Sequence, residues 1–101
     1  MNTKLLSGMF CGTEKVYRSK NGSYYFTFEF VFKSSHIDVF CTKHPSFNGK
    51  SSNPRKTHLF HSGKICFIEG REPKTKVRAE ELAAQWAEYF LDYRQTGKVQ
   101  K

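Results

Sequence analysis

Between residues 24 and 33 the chain reads Tyr-Tyr-Phe-Thr-Phe-Glu-Phe-Val-Phe-Lys, and this alternation constrains the fold more than any other feature. Successive side chains of a strand point to opposite faces, so Tyr24, Phe26, Phe28, Phe30 and Phe32 share one face and Tyr25, Thr27, Glu29, Val31 and Lys33 the other. A face of aromatic rings calls for a second layer to bury it. Exposed rings could instead stack on bases, but aromatics at period two are far more often core.

The flanking sequence supplies partner strands. A short strand is expected from Met9 to Arg18, ending at Ser19-Lys20-Asn21-Gly22, where Asn-Gly signals a hairpin because both turn positions favour positive φ. After the short link Lys33-Ser34-Ser35, the stretch from His36 to Thr42 sets Ile37, Val39 and Cys41 against Asp38 and Phe40, which suits an antiparallel meander. From Lys43 to Thr57 the composition turns to Pro, Ser, Asn, Gly and Lys, and Pro45, Gly49 and Pro54 argue for a long loop without regular structure. A loop of that length is usually functional or mobile. A short strand from Lys64 to Ile68 and a polar link from Glu69 to Lys76 follow.

The covering layer is legible at the C-terminal end. Ala79, Leu82, Ala83, Trp86, Phe90 and Tyr93 recur at helical spacing between Val77 and Arg94, with Arg78, Glu81, Gln85, Glu88 and Asp92 mostly off that stripe. Thr75 is the expected N-cap, Glu80 and Glu81 suit the positive end of the helix dipole, and Gly97 suits a left-handed C-cap. The fold class expected is therefore α+β, an antiparallel β-meander of three to four strands covered on one face by a C-terminal α-helix. At 101 residues the chain suits a single domain over 1–101, with 1–8 and 96–101 as flexible tails, and has no room for a two-domain enzyme.

The formal charge of +8 is not evenly spread. Residues 43–76 hold eight basic and two acidic side chains, whereas 77–101 hold four of each. Such a segment attracts nucleic acid, an anionic surface or an acidic protein face, or simply solubilises the chain. Apolar runs are far too short to span a bilayer and the N-terminus lacks a signal-peptide core, so no membrane association and a cytoplasmic location are expected.

Three cysteines, Cys11, Cys41 and Cys66, argue against a disulfide scaffold and for free thiols, a metal site or a reactive cysteine. Cys41 and His44, and again His58 and His61, are separated by two residues, a spacing that lets paired ligands close on a zinc ion. Cys66 follows Gly63-Lys64-Ile65, with His58, His61, Lys64 and Arg71 near enough in sequence to favour its thiolate. A cysteine within Ile-Cys-Phe-Ile is, on composition, more often a small buried hydrophobe.

The order of these parts, an Asn-Gly hairpin leading into a meander, a histidine-containing loop, Gly63-Lys64-Ile65-Cys66 and then a helix, resembles the catalytic core of ubiquitin-conjugating enzymes and their compact prokaryotic relatives over roughly residues 9–95. The resemblance implies a thioester between Cys66 and the C-terminus of a ubiquitin-like modifier, with no cofactor and with an activating enzyme and the modifier as partners. Gly63 and Ile65 match the lead-in to that cysteine, His58 or His61 stands for the motif histidine, and the cation candidates Lys64, Arg71, Arg55 and Lys56 frame the binding surface. The family's His-Pro-Asn is replaced by His44-Pro45-Ser46, and Asn53 lies before the candidate histidines. An inactive, purely binding version of the same fold is the companion expectation. A basic nucleic-acid-binding domain, its phosphate contacts drawn from 43–76 and its tyrosines stacking on unpaired bases, is the alternative from another class.

Overall fold

The computed structural model describes residues 14–67 and 70–98. Three strands, β1 (Glu14–Arg18), β2 (Tyr25–Phe32) and β3 (Ile37–Lys43), form an antiparallel sheet in the order β1-β2-β3. A one-turn helix α1 (Pro54–Thr57) and a long helix α2 (Lys76–Thr96) follow, so the architecture is the expected α+β meander with a C-terminal helix. The part of the expected first strand from Met9 to Thr13, and Ile68 of the expected fourth, lie outside the described residues.

The alternation in β2 does what its pattern dictates. Phe26, Phe28 and Phe30 are buried while Tyr25 and Glu29 are exposed. Phe32 departs from the stripe at 57% exposure: it pairs with Ile37 on the last rung of the sheet, past the rings that α2 covers. Trp86 stands edge-on to both Phe26 and Phe28 at 6.1 Å between centroids, and Phe90 edge-on to Phe26 at 5.6 Å. Edge-to-face contact sets the positive ring rim against the negative ring face, and each of these buried rings contributes about 1.5–3 kcal/mol through burial alone. Ala79, Ala83 and Ala87 are fully buried on the same helix face, where the small side chains let the helix backbone approach the sheet.

Four local expectations are corrected. Arg18 pairs with Tyr25, so the β1–β2 connection spans residues 19–24, a longer loop than a two-residue Asn-Gly hairpin. Only Gly22 of that dipeptide takes positive φ (78°); Asn21 instead accepts from Ser19 Oγ at 2.7 Å and the Ser23 amide at 2.9 Å, folding its side chain back on the turn. Pro54 starts regular structure where exclusion was expected, because proline suits a first helical position and Asn53 caps it by accepting from the Arg55 amide at 2.9 Å. The expected strand from Lys64 contributes only isolated bridges at Lys64 and Ile65. Helix α2 is capped by Thr75 and Gly97 as expected, but it begins at Lys76 and has no acidic residue in its first turn. Glu80 therefore sits one turn further in, where it accepts from Lys15 Nζ at 2.7 Å.

The stretch 44–57 is fastened to the C-terminal half of α2. Arg94 Nε donates to the Ser46 carbonyl at 2.9 Å, Tyr93 Oη to the Ser51 carbonyl at 2.7 Å and Trp86 Nε1 to the Thr57 carbonyl at 2.9 Å. In return Asn48 and Lys50 donate to the Arg94 carbonyl, one of the acceptors that a helix end leaves without an intrahelical partner. Among the described residues no helix is long and apolar enough to cross a membrane.

Candidate functional site

Residues 63–66 run as a short extended segment between β3 and residues 58–60. On one side the Cys41 amide donates to the Gly63 carbonyl at 2.7 Å and the Ile65 amide to the Val39 carbonyl at 2.8 Å. On the other, the Phe60 amide donates to the Lys64 carbonyl at 2.9 Å and the Cys66 amide to the His58 carbonyl at 2.8 Å. Gly63 is needed at the start: its φ is 94°, and a Cβ there would lie 3.1 Å from the Cys41 carbonyl oxygen.

Ile65, bridged to Leu59 and bonded to Val39, is buried with both under the helix. Alternation then turns Lys64 and Cys66 to the opposite face. The Lys64 ammonium bears this out, lying 3.5 Å from Asp38 Oδ1 on that side of β3. Beyond the Phe40–Lys64 pair the segment leaves β3: the Cys66 amide turns to the His58 carbonyl, and the Ile37 amide of β3 donates to the Pro73 carbonyl instead. Cys66 is half-buried, and its amide is bonded to His58, which is exposed and holds a left-handed φ of 58° as the C-cap of α1.

Cys41 has a different environment. It is buried in the core, its thiol donates to the Lys43 carbonyl at 3.3 Å, and burial pushes its pKa up to about 12. A thiol held protonated in this way is a poor nucleophile and a poor metal ligand.

The four residues considered for zinc are divided between two clefts. Cys41, His44 and His61 line an open cleft of about 470 Å³, whereas His58 lines another with Trp86, Tyr89 and Tyr93. His44 donates from Nδ1 to the Pro45 carbonyl at 2.7 Å and packs against Phe47 and Phe90. Among the described residues no three His, Cys, Asp or Glu side chains gather closely enough to hold a metal ion.

The candidate cations are dispersed. Arg55 and Lys56 are exposed on α1 immediately before His58, Arg71 is exposed on the link to α2, and Lys64 leans over Asp38. Asn53, which precedes the histidines, has its side-chain oxygen engaged as the cap of α1.

Asp38, which faces the Lys64 ammonium, and His36 were not singled out in the sequence as site residues. Asp38 belongs to the outward set of β3, yet it is only 8% exposed, and His36 donates from Nε2 to its Oδ1 at 2.8 Å. The available signal was His-x-Asp at strand spacing, which puts both side chains on one face. Comparison with protein-family models, curated proteins and solved structures finds no match to this chain.

Proposed function

We propose that this chain is a ubiquitin-conjugating-like protein that carries a ubiquitin-like modifier as a thioester on Cys66. The observation that carries the reading is the contrast between the two described cysteines. Cys41 is buried, only 4% exposed, while Cys66 is half-buried at the end of the Gly-Lys-Ile-Cys segment, its amide bonded to the His58 carbonyl. A nucleophilic thiol needs access, and of the two described cysteines Cys66 is the more accessible.

In the proposed reaction the Cys66 thiolate attacks an activated C-terminal carbonyl, and the acyl group then passes to a nucleophile on a target. Of the two candidate histidines, His58 is the one whose backbone is bonded to Cys66, its carbonyl accepting from the Cys66 amide, while the residue also lines the cleft with Trp86, Tyr89 and Tyr93. His61 faces the cleft that also holds Cys41. The exposed Arg55 and Lys56 beside His58 suit a modifier or activating enzyme with an acidic face.

The test begins with a peptide thioester ending in Gly-Gly, incubated with the full chain and followed by intact mass and by sensitivity to reducing agent. A reducible adduct on the wild type that is absent from Cys66→Ala supports the reading. With an activating enzyme and its modifier, Cys66→Ser then traps a stable oxyester. Failure of the wild type to take up any acyl group removes the catalytic reading and leaves the binding version of the fold.

A further inference from the structure

Among the described residues no carboxylate lines the cleft that holds Cys41, His44 and His61. Its lining comes from residues 41–63, a stretch that carries Lys43, Lys50, Arg55 and Lys56 and no acidic side chain. Lys43 stands between the lining residues Thr42 and His44, and Arg55 and Lys56 lie on α1, between Ser52 and Leu59 of the same lining. Lys43, Arg55 and Lys56 are exposed, and none of them enters an ion pair among the described residues. A concave wall flanked by unpaired cations concentrates a positive field and draws anions to it.

The wall also offers ring surface and a hydrogen-bond acceptor. Phe60 is 43% exposed and stays outside the hydrophobic core, so its ring is left over from folding. A carbonyl can only accept, so the bond from His44 to Pro45 puts a proton on Nδ1, and the neutral ring keeps Nε2 as an acceptor. Among the described residues no donor reaches that nitrogen. An apolar ring beside such an acceptor suits a nucleobase, which stacks through its face and donates from its N–H groups. The cations are spread from Lys43 to Lys56 and do not converge on one point, which suits the successive phosphates of a strand better than a single small anion.

We infer that this cleft binds single-stranded nucleic acid, one base stacking on Phe60 and the neighbouring phosphates meeting Lys43, Arg55 and Lys56. The inference does not rest on the thioester reading, because Cys66 takes no part in the lining. The basic stretch of the sequence thereby narrows to the residues around one cleft. A duplex keeps its bases stacked and paired, and so cannot offer a free base face to Phe60.

The experiment titrates the full chain into a fluorescein-labelled single-stranded oligonucleotide of mixed sequence, and into its duplex, and follows anisotropy at several salt concentrations. The single strand is expected to bind more tightly than the duplex, with affinity falling steeply as salt rises. Phe60→Ala should weaken binding about fivefold or more, and Phe60→Trp should retain it. Lys43→Gln should weaken binding and flatten the slope of log affinity against log salt by about 0.7, the share of one phosphate contact on a single strand. Lys33→Gln removes the same charge on the link that precedes β3, at the opposite end of that strand from the cleft, and should have a smaller effect. Both lysines are exposed, so these variants read the site even if Phe60→Ala does not fold. No binding at low salt, equal binding of the duplex, full affinity in a folded Phe60→Ala, or equal losses in Lys43→Gln and Lys33→Gln each overturns the inference. Displacement of the oligonucleotide by polyglutamate at equal charge also overturns it, since the surface would then be one for acidic protein. A chain that takes up no acyl group on Cys66 leaves the inference standing.

Discussion

The indole Nε1 of Trp86 donates to the Thr57 carbonyl at 2.9 Å, and this bond ties the core of α2 to the residue immediately before His58. Both partners are buried, so the carbonyl has no access to water as a substitute donor. Because the His58 carbonyl accepts from the Cys66 amide, the bond also supports the position of the candidate nucleophile.

Replacing Trp86 with Phe keeps a ring in the core but leaves the Thr57 carbonyl unsatisfied. The expected cost is about 1–3 kcal/mol from the lost hydrogen bond, plus a smaller term for the reduced ring. Urea unfolding followed by circular dichroism reads the loss. Amide exchange in residues 51–58 should accelerate more than exchange in β2, and equal acceleration in both would mean that the bond has no local role.

Arg94 holds the other end of the loop with its guanidinium fork, Nε on the Ser46 carbonyl at 2.9 Å and a terminal nitrogen on Tyr24 Oη at 3.2 Å, its carbon 5.1 Å from the Tyr24 ring centroid. A lysine cannot reproduce contacts in two directions from one planar group. Arg94→Lys and Arg94→Ala are therefore expected to destabilise to a similar extent, about 1 kcal/mol in thermal unfolding. Full stability in Arg94→Lys would show that charge alone is sufficient at this position.

What the sequence made legible is what repeats. The period-two run through β2 and the helical stripe through α2 are each set by local geometry acting on several residues, so single departures such as Phe32 do not obscure them. The fastening of 44–57 was not legible, because each bond joins one side chain of α2 to a backbone carbonyl 29 to 48 residues away and leaves no periodic trace. The same holds for the candidate site. Cys66 was visible as a motif, but the bonds that hold residues 63–66 between β3 and residues 58–60 depend on a register that only the folded chain sets. Pro54 misled for a related reason: its ring forbids a helix interior and favours a helix start, and Asn53 decides between the two.

The two described cysteines differ in burial, and alkylation rates should separate them. At pH 8, Cys66 is expected to react with iodoacetamide at least about tenfold faster than Cys41, whose buried thiol stays protonated. Peptide mapping after a time course assigns each site. Cys41 reacting first would contradict the burial on which the proposed nucleophile was chosen.

Stability should fall on the alkaline side through groups on the inner face of the sheet. Burial raises the Cys41 thiol from 9.0 to about 12; burial, followed by its hydrogen bond to Glu88, raises the Tyr17 phenol above 10.0. Burial works against the Lys15 ammonium, but the hydrogen bonds and the Glu80 charge outweigh it and hold its pKa above 10.5. Above each ordinary value the unfolded chain releases a proton that the folded chain retains, so rising pH favours unfolding. The contributions are fully present below about pH 9 and are lost in sequence above it, Cys41 first, at up to about 1.4 kcal/mol per pH unit. Unfolding midpoints should therefore be flat with respect to these groups from pH 7 to 9 and decline beyond. In Cys41→Ala, which starts from a lower midpoint because of the lost packing, the decline should begin about one pH unit later, near the ordinary values of Tyr17 and Lys15. An identical onset in the variant and the wild type would show that the Cys41 thiol does not set the alkaline limit.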